Sequence, residues 1–68
     1  MIKINGEEKE LSSEIILEKL LEINKFDTSR IAVIVNDDIV PKDIYKEKVI
    51  KDGDSIEVVS FVGGGWLN

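Results

Sequence analysis

The sequence predicts an α+β fold in which one helix lies across one face of a mixed sheet of four to five strands. Apolar residues recur at helical spacing only within residues 14–23, and the other apolar residues lie in short runs typical of strands. The chain has 68 residues, which is room for one domain. A domain of this size buries only about 60% of its unfolded surface, so we expect no deep active-site cavity.

The N-terminal segment predicts a β-hairpin. Residues 2–4 alternate apolar and polar side chains, as a half-buried strand does. Asn5-Gly6 follows at once and is a strong signal for a short hairpin turn. Residues 7–11 then form the returning strand, with Leu11 directed toward the core.

One amphipathic helix is predicted for residues 14–23. Ser12 and Ser13 precede it and supply an N-cap. Glu14 lies in the first turn, where the helix dipole favours a carboxylate. The apolar side chains form one stripe that a sheet must cover, namely Ile16, Leu17, Leu20, Leu21 and Ile23.

Three strands are predicted after the helix. Residues 31–35 are an unbroken apolar run rich in β-branched side chains, which is typical of a central strand. Ile39 and Val40 are followed by Pro41, which cannot donate to a ladder, so this short strand suits a sheet edge. Residues 55–62 form the last strand.

The connecting segments are less regular. Phe26 is expected to anchor the connection after the helix. Residues 43–50 are ambiguous and are expected to form a helical turn with Ile44, Tyr45 and Val49 packing inward. The predicted element order is hairpin, helix, strand, short edge strand, irregular crossover and strand. This is the order of a β-grasp, or ubiquitin-like, domain.

The sheet is expected to carry an apolar patch on the face that the helix leaves uncovered. Alternation along the last strand places Val59 and Phe61 on that face, and alternation along residues 31–35 places Ala32 and Ile34 there. Such patches often mark partner sites. The alternative is that a small sheet tolerates scattered surface aliphatics.

The composition excludes several function classes. The chain contains no Cys and no His, which removes a thiolate nucleophile, the commonest general base and the commonest transition-metal ligand. Its net charge of −5 argues against nucleic acid, which requires a basic surface. We therefore expect no enzyme activity, metal or cofactor. No apolar run is long enough to span a membrane, and a cytoplasmic location is expected.

The C-terminal glycines are the only feature with evident reactive use. Three consecutive glycines occupy positions 63–65, and only residues 66–68 follow. Glycine lacks a Cβ, so this segment predicts a slender, flexible tail that can enter a narrow channel. The alternative is a frayed terminus. The predicted organisation is a β-grasp domain over residues 1–62 and a tail over residues 63–68, whose carboxylate another protein would have to activate, for example by adenylation.

Several motifs together carry a family resemblance. They are Val35-Asn36, Val40-Pro41-Lys42, Tyr45, Ile50, Gly53-Asp54, Ile56-Glu57-Val58-Val59 and Phe61-Val62-Gly63-Gly64-Gly65. With the Asn5-Gly6 turn and the single helix, they cover nearly the whole chain. The sequence resembles the ThiS family, the sulfur carrier proteins of thiamine biosynthesis.

The resemblance implies a function and a set of partners. A ThiF-type enzyme would adenylate the carboxylate of Gly65, with Gly64 as the less favoured end. Sulfur drawn from a cysteine desulfurase would convert it to a thiocarboxylate, which would donate sulfur to thiazole synthase, ThiG, for the thiazole ring of thiamine. The residues expected to bind partners are Ile34, Val59, Phe61, Val62 and Gly63.

The sequence departs from the family pattern in three places. Lys42 stands where the family often has Arg, and Tyr45 where it often has Trp. Trp66-Leu67-Asn68 follow the glycines, and a thiocarboxylate cannot form while a peptide bond occupies the carbonyl of Gly65. We hypothesise that a protease removes these three residues. A cloning remnant and a homologue without carrier activity are the alternatives.

Three other functions stay open at this point. A small subunit of molybdopterin synthase would use the same carrier chemistry in another pathway. A β-grasp interaction module would use only the exposed sheet face and would not need the glycines. A ubiquitin-like protein modifier is the third.

Overall fold

The computed structural model describes residues 1–60 and contains a mixed five-stranded sheet with one α-helix across one face. The elements in chain order are β1 (Ile2–Ile4), β2 (Glu7–Lys9), β3 (Ile15–Ile16), α1 (Leu17–Ile23), a 3-10 turn (Thr28–Arg30), β4 (Ile31–Val35), β5 (Asp38–Val40), a second 3-10 turn (Lys42–Ile44), β6 (Val49–Ile50) and β7 (Ser55–Ser60). The large sheet has the order β2-β1-β7-β4-β5, and β3 pairs with β6 separately. The predicted β-grasp architecture is confirmed.

The pairing directions place β7 at the centre of the large sheet. β7 is parallel to β1 and antiparallel to β4, and the two hairpins β1–β2 and β4–β5 are antiparallel. Parallel strands need a long crossover, and residues between β1 and β7 supply it. The predicted edge position of β5 is confirmed.

Both hairpins turn through two residues with positive φ. Asn5 and Gly6 have φ of 53° and 84°, and Asn36 and Asp37 have φ of 51° and 71°. Positive φ at both central residues defines a type I′ turn, whose twist matches that of the strands it joins. The prediction of a hairpin at Asn5-Gly6 is therefore confirmed.

The helix begins later than the sequence predicts. Leu17 is its first residue, whereas Glu14 was expected, because Ile15–Ile16 form β3 against Val49–Ile50. The N-cap residue is Ile16, which makes no side-chain hydrogen bond to the helix. The prediction of a serine N-cap is wrong.

Backbone carbonyls from a distant segment take the place of that cap. The N–H of Leu17 donates to the carbonyl of Lys48 at 2.7 Å, and the N–H of Glu18 donates to the carbonyl of Tyr45 at 3.0 Å. These two N–H groups belong to the first turn, which has no partners inside the helix. The start of α1 is therefore fixed by tertiary contacts.

The core lies between α1 and the covered face of the sheet. The side chains of β4 alternate as predicted, and Ile31, Val33 and Val35 are buried in this core. Within residues 1–60, the buried apolar residues are Ile2, Ile4, Leu17, Leu20, Leu21, Ile31, Val33, Val35, Val40, Tyr45, Ile50 and Ile56. Leu11, Ile15, Phe26 and Val58 pack against it while partly exposed.

The segment between β5 and β7 packs differently from the prediction. Tyr45 is buried as expected. Ile44 and Val49 remain 39% and 41% exposed, so the expectation that both pack inward is wrong. The segment forms a 3-10 turn and the two-residue strand β6. Of the two residues of β6, only Ile50 is buried in the core.

Candidate partner-binding face and C-terminal strand

The sheet face opposite the helix carries an apolar patch. We define the outer patch as Ala32, Ile34, Ile39 and Val59, which share this face by strand alternation and register. Ala32 lies opposite Val59 across β4 and β7, and Ile34 lies opposite Ile39 across β4 and β5. Val59 is 50% exposed and Ile39 is 75% exposed. The expected exposure of apolar side chains on this face is therefore present.

The outer face changes character along the sheet. On the β1–β2 side it carries the charged side chains of Lys3 and Glu8, which lie opposite each other. On β7, between the two sides, Glu57 lies opposite Ile34. Toward the β4–β5 side it is apolar. A partner that approaches the β4–β5 side would meet side chains that lose little hydration on burial.

Asn5 forms two hydrogen bonds with β7, the last strand before the glycines in the sequence. The Asn5 Oδ1 accepts a hydrogen bond from the N–H of Val58 at 2.8 Å, and the Asn5 N–H donates to the carbonyl of Ile56 at 2.9 Å. Backbone pairing of β1 with β7 ends at Ile4 opposite Ile56. The side-chain oxygen of Asn5 thus adds one acceptor to the ladder beyond the end of β1.

A buried carboxylate fixes the opposite end of β7. Asp54 is 7% exposed and is the only buried polar or charged residue within residues 1–60. Its Oδ1 accepts from Asn36 Nδ2 at 3.0 Å, and its Oδ2 accepts from the Lys51 N–H at 2.9 Å. Asn36 Oδ1 in turn accepts from the Ser55 N–H at 2.9 Å. This network, which we call the Asp54 clasp, joins the β4–β5 turn to the start of β7.

The pKa of Asp54 reflects two opposing effects. Burial raises it, because a charged carboxylate loses hydration. Hydrogen bonds from the Lys51 N–H and the Asn36 amide, with the positive charges of Lys51 and Lys48, lower it by more. The pKa of Asp54 therefore lies below its ordinary value of 3.8, and the group is charged at neutral pH.

The structure places only some of the predicted site residues. Ile34 and Val59 lie on the outer face as expected. The predicted residues Phe61, Val62, Gly63, Gly64 and Gly65 lie outside the described residues, as do Trp66-Leu67-Asn68 and the predicted boundary between domain and tail. Their roles stay predictions.

Sequence reasoning missed Ile39 as a member of the patch. The sequence indicated only that it belongs to a short edge strand. Its neighbour Val40 is buried, and alternation then directs Ile39 to the outer face. The tight Asn36-Asp37 turn sets the register that places it beside Ile34. The sequence indicated a turn at this place but not the register, which only the pairing of β4 with β5 shows.

The described part of the chain has neither a cluster of metal ligands nor a membrane-spanning helix. Within residues 1–60, no group of three or more acidic side chains is arranged to hold a metal ion. No helix in this part is long and apolar enough to cross a membrane.

The fold and the exposed sheet face define the class as a small β-grasp domain of the ubiquitin-like type. The ThiS family model matches residues 2–65. The chain therefore belongs to the ThiS family, the sulfur carriers of thiamine biosynthesis, and the resemblance in the sequence is confirmed.

Solved structures of the same family have the same fold. The crystal structure of the thiamine biosynthesis protein ThiS from Geobacter metallireducens superimposes with a TM-score of 0.81 at 22% identity, over 94% of this chain and 97% of that one. A solution structure of a thiamine biosynthesis protein from the same organism gives a TM-score of 0.75 at 24% identity, over 94% of this chain and 86% of that one.

Curated relatives fall into two kinds. A thiazole synthase of Paramagnetospirillum magneticum is 44% identical over 62 residues, which are 91% of this chain and 19% of the relative. The chain thus spans about a fifth of that relative's length. The uncharacterized protein ycf40 of Pyropia yezoensis is 39% identical over 64 residues, which are 94% of this chain and 90% of the relative.

Proposed function

We propose that this protein carries sulfur as a thiocarboxylate on Gly65 and donates it for the thiazole ring of thiamine. The observation that carries the proposal is the end of the family match at Gly65, three residues before Asn68. The absence of Cys from the sequence fits, because no side-chain thiol is then available to hold the sulfur.

The chemistry requires other proteins, and the chain itself acts as a carrier and not as an enzyme. A ThiF-type enzyme binds the tail and ATP, the Gly65 carboxylate attacks the α-phosphate, and pyrophosphate leaves. A persulfide formed by a cysteine desulfurase then displaces AMP at the acyl carbon to give an acyl disulfide, and a thiol cleaves the S–S bond, becoming part of a new disulfide and leaving the thiocarboxylate on Gly65. Adenylation consumes ATP, so we place the carrier in the cytoplasm.

The acceptor of the sulfur in this proposal is a thiazole synthase. Support comes from the thiazole synthase of Paramagnetospirillum magneticum, which contains a region similar to this chain within its own length. The outer patch is the docking surface, and it lies on β4, β5 and β7, the last strand before the glycines in the sequence. A partner seated there is next to the strand that delivers Gly65.

Residues 66–68 must be removed before the carboxylate exists, so we propose a processing protease. The test compares chains ending at Asn68, Gly65 and Gly64 with a ThiF-type enzyme, ATP and a sulfur source, and follows their intact masses. We expect adenylation and replacement of one oxygen by sulfur only in the chain ending at Gly65. Equal activation of the chains ending at Gly65 and Asn68 would contradict processing, and activation of neither would contradict the carrier function.

The exposed outer patch also favours a second candidate, a non-reactive interaction module. Deleting Gly64 and Gly65 separates the two functions in a strain that lacks its own carrier. The carrier function predicts that growth without added thiamine fails. An interaction module predicts unchanged growth and unchanged partner binding.

A further inference from the structure

The two edges of the five-stranded sheet differ in how they are protected. The β2 edge carries Glu7, Glu8 and Lys9, all exposed, and charged side chains keep an edge from pairing with another strand. The β5 edge carries Ile39, the most exposed large hydrophobic side chain in the described part of the chain at 75%. The β5 edge has one charged side chain, that of Asp38, where all three residues of β2 are charged, and its acidic charge would admit a basic partner strand.

The hydrogen-bonding pattern leaves the backbone of Ile39 free to pair outward. The Asn36 N–H donates to the Ser55 carbonyl, so the backbone groups of Asn36 face β7. Backbone groups alternate along a strand, so Ile34 also faces β7 and Val35 faces β5. Ile39 lies opposite Ile34, which makes this a non-hydrogen-bonded pair. The N–H and C=O of Ile39 consequently point away from β4.

The free edge and the outer patch form one continuous surface. The Ile39 side chain lies on the same face as Ile34, Ala32 lies two residues before Ile34 on β4, and Val59 lies opposite Ala32 on β7. A strand added at β5 would extend the sheet, take both backbone hydrogen bonds of Ile39 and cover its side chain. Strand addition of this kind derives affinity from main-chain bonds.

The charges beside the edge indicate what the added strand carries. Asp37 and Asp38 stand directly before Ile39, and both are exposed. The whole chain has a net charge of −5, so a second copy would bring repulsion to this edge. An arriving segment with Lys or Arg at the Asp37-Asp38 end would gain opposite charges.

We propose that β5 receives an extended segment of the thiazole synthase, with a basic side chain facing Asp37 and Asp38. This inference rests on the proposed function for the identity of the partner. The synthase is chosen because two thiazole synthases, from Paramagnetospirillum magneticum and Magnetococcus marinus, each contain a region similar to this chain. A carrier-like domain and a synthase thus occur together in one polypeptide.

The test uses the whole protein and the thiazole synthase of its own organism. Amide hydrogen exchange at Ile39 is measured with and without the synthase, and we expect it to slow about tenfold or more on binding. The variant Ile39→Pro removes the outward N–H without removing a hydrogen bond of the β4–β5 ladder, and it also replaces the side chain; we expect about tenfold weaker binding than for Ile39→Ala. Ile39→Ala keeps the N–H and reports the side-chain contribution separately. The exchange measurement on the unmodified chain is decisive if Ile39→Pro does not fold.

The outcomes distinguish this inference from the proposed function. An Ile39 amide that exchanges at the same rate with and without the synthase overturns strand addition, whether or not Gly65 accepts sulfur in the separate activation assay. Protection that arises without the synthase and grows with protein concentration assigns the edge to a second copy, and this also overturns it. Protection by the synthase supports strand addition even if the chain ending at Gly65 gains no thiocarboxylate with a ThiF-type enzyme, ATP and a sulfur source, and that separate result contradicts the carrier function.

Discussion

Replacing the buried carboxylate of Asp54 is the most informative single change in the fold. Asp54 accepts one hydrogen bond on each oxygen, from Asn36 Nδ2 and from the Lys51 N–H. In the variant Asp54→Asn, one of those positions becomes an NH₂ group. A donor then faces a donor at a site where the residue is only 7% exposed.

The size of the effect follows from these contacts. A hydrogen bond to a charged group contributes about 1.5–3 kcal/mol, and a buried donor left without a partner costs about 1–3 kcal/mol. One bond of this kind is lost in Asp54→Asn, so we expect the free energy of unfolding to fall by about 2–3 kcal/mol. For a domain of this size the melting temperature should drop by about 10–20 °C.

The same effect should depend on pH. The folded-state pKa of Asp54 is lowered from 3.8, so the charged form is favoured by folding. Its stabilisation is present in full above the unfolded pKa, from about pH 5 upward, and is lost as the pH falls through the lower folded pKa. Urea unfolding followed by circular dichroism at several pH values should show the difference between wild type and Asp54→Asn shrinking below pH 3.8.

The neighbouring Asp52 supplies a matched control. Its carboxylate pairs with the N-terminal amine of Met1, and its side chain is 76% exposed. An exposed ion pair contributes at most about 1 kcal/mol, so Asp52→Asn should leave stability nearly unchanged. If Asp54→Asn is no more destabilising than Asp52→Asn, or if its deficit is the same at pH 7 and in acid, the clasp does not stabilise the fold as argued.

Two further predictions concern the core and the base of the C-terminal strand. Leu17 is fully buried at the start of the helix, so Leu17→Ala should lower the free energy of unfolding by about 2–5 kcal/mol in urea titrations, and a loss below 1 kcal/mol would contradict its place in the core. Asn5→Ala removes the acceptor of the Val58 N–H and places Ala at a φ of 53°, so we expect a loss of about 2 kcal/mol and faster amide exchange at Val58. Asn5→Gly removes the backbone strain but does not restore the hydrogen bond to the Val58 N–H. If the Val58 amide stays protected from exchange in both variants, the Asn5 side chain does not hold this N–H as argued.

Local patterns in the sequence were sufficient for most of the architecture. The Asn5-Gly6 turn, the alternation in β4 and the Pro41 stop after β5 each encode their structure within a few residues, because turn sterics and side-chain alternation are local properties. The same alternation predicted the exposure of Val59 on the outer face. The glycine motif and its neighbours were sufficient to identify the ThiS family.

The tertiary structure alone decided the features that depend on distant backbone groups. The helix begins at Leu17 because the carbonyls of Lys48 and Tyr45 satisfy its first N–H groups, and no local pattern reports where those carbonyls will lie. Asp54 is a turn residue by sequence, yet it is buried because Asn36 and the Lys51 N–H converge on it once the strands are assembled. The open edge at Ile39 likewise follows from register, since which backbone groups face outward is set only when β5 pairs with β4.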